Sequence, residues 1–247
     1  MTSNWYYLLP LAIPCVYAVQ AAWFSRKPQR WPLWVAFLPF ALACATLALL
    51  LTRGAGHSPL LGLAGAGLSF QVDNLSVTLL LLVNFLGGTV LHFSRQYLAG
   101  NHRHGSFMRD LAYTLGAVST LVVAGNLYLL AAAWIAMSLL LNRLLLFCEE
   151  RPMARLAARK KFILARIGDL SLLLAAGILI LEFGTSDLWA LQQAFTGAAE
   201  SGSSQTAMVT AASLLALTAL LKSAHRMSYA DAFAAALAKS RKAELVK

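Results

Sequence analysis

Apolar residues run along this chain in blocks of about twenty, the length an α-helix needs to cross the roughly 30 Å hydrocarbon layer of a bilayer. Seven such blocks read as transmembrane helices: Trp5–Phe24, Trp31–Thr52, Leu75–Ser94, Phe107–Ala124, Asn126–Cys148, Phe162–Phe183 and Thr206–Ala224. The fourth and fifth meet at Gly125-Asn126, which leaves room only for a tight turn. Between the second and third, a glycine-rich apolar stretch from Leu60 to Phe70 is too short to span and leads into Gln71-Val72-Asp73-Asn74, which fits a small extracytoplasmic hairpin. The pattern predicts an all-α polytopic membrane protein in three parts. Residues 1–74 hold two helices and the hairpin, 75–225 the remaining helices, and 226–247 a basic tail.

Composition agrees with this reading. Of 247 residues, 59% are hydrophobic and 12% charged, with a mean hydropathy of +0.66, too apolar for one water-soluble core. The net charge of +10 raises the question of nucleic acid, and its distribution answers it. With the N-terminus outside and the C-terminus cytosolic, sixteen of the twenty Lys and Arg fall on the cytosolic side: three after span one, three around the loop between spans three and four, counting Arg109 at the very edge of the fourth, five between five and six, and five in the tail. Arg53 alone lies outside, while Arg143, Arg166 and Lys222 lie within spans. This is the positive-inside asymmetry of an inner-membrane protein and gives no cause to invoke nucleic acid. No positive charge precedes Trp5, so the first block reads as a retained span and not a signal peptide. Cys15, Cys44 and Cys148 form no metal or disulfide spacing and read as small buried hydrophobes. The tail carries Ser228 and Asp231 at capping-box spacing and Tyr229, Phe233 and Leu237 at four-residue intervals, which fits either a surface amphipathic helix or a solvated segment.

The candidate chemistry lies in the few charges left inside the membrane, each costing roughly 2.5 kcal/mol or more at the bilayer centre unless paired or hydrated. Arg166 and Asp169 stand three apart on one helix face, which suits either a proton-responsive pair or a merely neutralised one. Lys222 closes the last apolar block; it reads as a reversible proton carrier in low dielectric or as a lysine snorkelling to the interface. Arg143, close to the Glu149-Glu150 pair, is best explained by snorkelling. His102-Arg103-His104 offers two histidines without further ligands, so no metal site is expected there. No phosphate loop, dinucleotide fingerprint or nucleophilic triad appears, which argues against bond-making catalysis and against a bound cofactor.

Several of these stretches together resemble the antiporter-like proton-translocating subunits, a family that includes the large membrane subunit of respiratory complex I and the Mrp-type antiporters. They are Asp73-Asn74-Leu75-Ser76, Gly125-Asn126-Leu127 through Trp134, Arg166-Ile167-Gly168-Asp169, Phe183-Gly184-Thr185 and Leu221-Lys222-Ser223-Ala224, within residues 70 to 224. Asn142-Arg143-Leu144, Glu150-Arg151-Pro152 and the run from Ala157 to Phe162 look closer to the membrane subunit of the DAB inorganic-carbon uptake system. The resemblance implies a proton pathway through Lys222, Asp169 and Arg166, with Arg143 and His225 as further candidates. It also implies coupling to bicarbonate or CO2 accumulation and a soluble partner similar to a zinc β-carbonic anhydrase. Two departures stand out. Respiratory members carry a glutamate after the span-five tryptophan, where this chain has Ile135 after Trp134, leaving Asp169 as the nearest acid for Lys222. In the family the Lys-Ser-Ala stretch leads into further spans, whereas here it leads into His225-Arg226-Met227 and the tail. A truncated, frameshifted or split gene product would account for this, and in the split case a second polypeptide would supply the remaining helices. The rival readings are a membrane subunit of an NADH–quinone oxidoreductase or Mrp-type antiporter, and a non-conducting membrane anchor.

Overall fold

A computed structural model describes residues 4–26, 32–59, 68–98, 103–145, 152–201 and 206–221. The first two helices are each entered through a 3₁₀ turn: Asn4–Leu11, which contains Pro10, leads into α1 (Ala12–Arg26), and Leu33–Phe37, preceded by Pro32, leads into α2 (Leu38–Arg53) with Pro39 in its first turn. Proline suits the first turn of α2 because the N–H groups there have no intrahelical acceptor. Asp73 caps α3 (Asn74–Tyr97) by accepting the Ser76 N–H on Oδ1 at 2.6 Å. There follow α4 (His104–Val122), α5 (Leu127–Leu145), α6 (Pro152–Phe183), α7 (Leu188–Ser201) and the apolar helix α8 (Thr206–Leu221).

Among the described residues, five helices are long and apolar enough to cross a membrane: Trp5–Arg26, Trp34–Arg53, Asn74–Tyr97, Leu127–Leu144 and Phe162–Phe183. The two remaining blocks of the expected seven differ for separate reasons. α8 is apolar but is described only over Thr206–Leu221. α4 is long enough but carries Arg109, Asp110, Thr114 and Ser119. It can do so because it packs against α1, α3 and α5, so protein rather than lipid surrounds its polar face. Tyr17 of α1, fully buried, lies where α3 and α4 present Gly87 and Gly116; a Cβ at Gly116 would stand 3.2 Å from Tyr17 Cβ. Around it Ile13, Phe24, Leu80, Leu91, Met108 and Ala112 form the main core.

One end of the bundle carries a small β cap. Strands β1 (Gly56–His57) and β2 (Gln71–Val72) pair antiparallel, Gly56 facing Val72 and His57 facing Gln71. The pair lies between α2 and α3, and its first strand, Gly56–His57, precedes the stretch expected to form the hairpin. The α4–α5 turn is stitched between two neighbours, since the Gly125 N–H donates to Ser69 O at 2.8 Å while Gly125 O accepts from Leu188 N at 2.9 Å. Asn126, fully buried, donates from Nδ2 to Ser186 Oγ at 2.8 Å.

Two corrections follow. Cys15 and Cys44 are free and exposed, not buried; on outward helix faces a thiol meets hydrocarbon as readily as it would meet a core. Cys148 and the tail lie outside the described residues. The helix α7 was not anticipated, although Leu188, Leu191 and Phe195 carry helical spacing and join Leu127, Leu179 and Ala211 in one apolar cluster. Asp187 caps it, accepting the Trp189 N–H on Oδ1 at 3.2 Å.

Candidate functional site

On α6 the sequence places an arginine and an aspartate one turn apart, and the fold buries them together. Arg166 Nη2 lies 2.6 Å from Asp169 Oδ2, with the Asp169 side chain 5% exposed and that of Arg166 30%. An aspartate so enclosed would be costly alone; the guanidinium beside it supplies the opposite charge. Arg166 has two further supports. Its Nη2 donates to Ser138 Oγ on α5 at 3.2 Å, and its guanidinium carbon sits 5.2 Å from the centre of the Phe162 ring.

The other side of the same turn of α6 is held by α8. Thr218 Oγ1 is 2.6 Å from Ser171 Oγ and 3.3 Å from the carbonyl oxygen of Gly168, the residue before Asp169. α8 therefore runs back along α6: Ala211, near its start, clusters with Leu179, and Thr218, a turn from its described end, meets Ser171 and Gly168. α6 is thus held by α5 at Arg166 and by α8 at Gly168 and Ser171, the residues that flank the Asp169 turn. Lys222 follows Thr218 by four residues, the spacing of neighbours on one helix face, and lies with His225 outside the described residues.

A second charge cluster stands between α4 and α5. Asp110, 12% exposed at its side chain, is 3.0 Å from Arg109 Nε and 3.5 Å from Arg143 Nε. This revises the reading of Arg143. Its side chain is 60% exposed, as snorkelling requires, yet its guanidinium turns to a carboxylate on the neighbouring helix. Asp110 and Arg109 were missed because Arg109 sits at the edge of its apolar block, and nothing in local spacing announces an α4–α5 contact. Thr114 Oγ1 donates to Asp110 O at 2.7 Å, and farther along α4 Ser119 Oγ approaches Asn84 Oδ1 of α3 at 3.5 Å. Polar groups thus recur from α3 through α4, α5 and α6 to α8. Toward the β cap, by contrast, α5 and α6 face each other across a groove of about 470 Å³ lined by Ala131, Ile135, Leu173 and Ile180 among other apolar groups.

No group of three or more His, Cys, Asp or Glu is arranged to hold a metal among the described residues. His104, at the start of α4, is buried at 2% exposure. Burial, with the Arg95 guanidinium adding to it, holds its imidazole below the ordinary range.

Comparison with known proteins bears on what this arrangement belongs to. Residues 62–108 match the family described as NADH-ubiquinone oxidoreductase (complex I), chain 5 N-terminus. The chain is 37% identical over 237 residues to the probable inorganic carbon transporter subunit DabB2 of Halothiobacillus neapolitanus, covering 88% of this chain and 41% of that protein. It is 41% identical over 154 residues to the corresponding subunit DabB of Hydrogenovibrio crunogenus, covering 62% and 29%. The chain therefore spans less than half the length of these relatives. In fold it resembles a chain of the Mrp complex from Dietzia sp., with a TM-score of 0.69 at 20% identity, over 86% of this chain and 23% of the other. The protein is accordingly a multi-pass protein of the bacterial inner membrane, similar to the N-terminal part of the antiporter-like membrane subunits of complex I, Mrp and inorganic-carbon transporter type.

Proposed function

We propose that this chain is a proton-conducting, energy-coupling membrane subunit of a DAB-like inorganic-carbon uptake system. The observation that carries the reading is the enclosed Arg166–Asp169 pair, tied to α5 through Ser138 and flanked by the helix that leads to Lys222. A carboxylate kept from bulk water beside a guanidinium changes its grip on that partner whenever a proton is gained or lost. Lys222 acts as the carrier, Asp169 as its counter-charge, and Arg166 holds the aspartate when the lysine is neutral. The similarity to DabB subunits supports the choice of bicarbonate or CO2 as the coupled species. It also supports other subunits as partners, including a soluble zinc carbonic-anhydrase-like protein. The three-part division at residues 74 and 225 belongs to the same proposal, as does the orientation with the C-terminus in the cytosol. The test is proton-dependent inorganic-carbon uptake in cells carrying the full system: Lys222→Ala should abolish it with membrane insertion intact, and unchanged uptake removes the proposed role.

A second reading, as a subunit of an NADH-quinone oxidoreductase, is favoured by the family match over residues 62–108. It predicts co-purification with flavin and iron–sulfur subunits, which the first reading does not.

A further inference from the structure

α8 is fastened to α6 by hydroxyl groups as well as by apolar contact. Thr218 is buried, and its Oγ1 lies within reach of Ser171 Oγ at 2.6 Å, Gly168 O at 3.3 Å and Leu214 O of its own helix at 2.9 Å. Ser171 Oγ in turn reaches Gly168 O at 2.9 Å. Each hydroxyl has one hydrogen, so one of the pair must accept from the other and the chain of bonds is ordered. A threonine whose sole role is to close on its own helix needs only the carbonyl four residues back. This one meets a second helix at the short end of O–H···O distances. The bonds end on the Gly168 carbonyl, one peptide before Asp169, and on the side of α6 held by α8 rather than by Ser138.

We propose that Thr218 is a positioning residue for Asp169: with Ser171 it pins α8 to α6 at the level of Gly168 and so keeps the Asp169 carboxylate shielded and aligned with Arg166. Its consequence for transport rests on the proton-conducting reading above; the clamp itself does not.

The hydroxyl and the shape of the side chain make opposite demands, which gives the test. Thr218→Val keeps the shape and removes the hydroxyl, whereas Thr218→Ser keeps the hydroxyl and removes a methyl group. With the whole chain reconstituted in liposomes, two quantities are read: proton flux, and the rate at which a lipid-soluble carbodiimide labels Asp169, followed by peptide mass. The Val variant should label Asp169 about threefold to tenfold faster, the span expected for losing one buried hydrogen bond, and Ser171→Ala should match it. The Ser variant should stay within about twofold of the native chain, and Val combined with Ser171→Ala should be no worse than either alone. Labelling of the Val variant at the native rate overturns the proposal, as does a Ser variant shifted as far as Val. Absence of flux through the native chain would remove the transport reading while the labelling order still decides the clamp.

Discussion

Arg166 and Asp169 meet at 2.6 Å one turn apart on α6, and that turn is fastened to two neighbours: Arg166 donates to Ser138 of α5, and Thr218 of α8 reaches the carbonyl oxygen of Gly168, the residue before the aspartate. Removing one member takes this opposite charge from the other in a largely buried place. Arg166→Met should therefore destabilise the detergent-solubilised protein by about 3 kcal/mol, the lower end for a broken buried pair because the arginine is partly exposed. The double variant Arg166→Met with Asp169→Leu should recover most of that loss. Equal, additive losses in a thermal-unfolding cycle would contradict the coupling.

The Arg143–Asp110 pair is expected to behave differently. Its separation is 3.5 Å and the Arg143 side chain is 60% exposed, so Arg143→Met should cost less than about 1 kcal/mol. A loss matching that of Arg166→Met would show the two clusters to be equally enclosed.

Glycine substitutions separate packing from backbone effects. A Cβ at Gly88 would stand 2.9 Å from the Phe37 ring and 3.0 Å from the Ala36 carbonyl oxygen, and the latter cannot swing aside. Gly88→Ala should loosen the join of α3 to the turn before α2. At Gly177 nothing lies within 4 Å, and Gly177→Ala should be neutral or stabilising by up to about 1 kcal/mol from helix propensity alone. Paired melting curves check both, and reversal of their order would contradict the packing described.

His104 lies ahead of the Phe107–Ala124 block, and its imidazole is held below the ordinary value of 6.5 by burial and then by Arg95. Native protein thus binds fewer protons at this site than unfolded protein does. Its contribution to stability is complete above 6.5 and declines as pH falls below that value. His104→Leu should flatten this decline in melting temperature between about pH 7.5 and 5.5. An unchanged slope would place the acid sensitivity elsewhere.

The long apolar blocks made α1, α2, α3, α5 and α6 legible in the sequence, and the three-residue spacing made the Arg166–Asp169 pair legible too. What escaped depends on contacts between helices. Asp110 was hidden because its partner Arg143 lies thirty-three residues away on another helix. Ser138, Ser171 and Thr218 were hidden because hydroxyls are cheap in any helix, and only their placement turns them into clamps. α7 escaped for the opposite reason: its spacing is present, but its 14 residues are fewer than a membrane span needs.

The most direct measurement of the central claim is proton flux into liposomes holding the chain with its partner subunits, native against Asp169→Asn. Asparagine keeps the size of the side chain and can no longer exchange a proton. The account predicts that flux falls by about a hundredfold or more, on the scale of losing a positioned proton-transfer group. Flux within about twofold of native would contradict it.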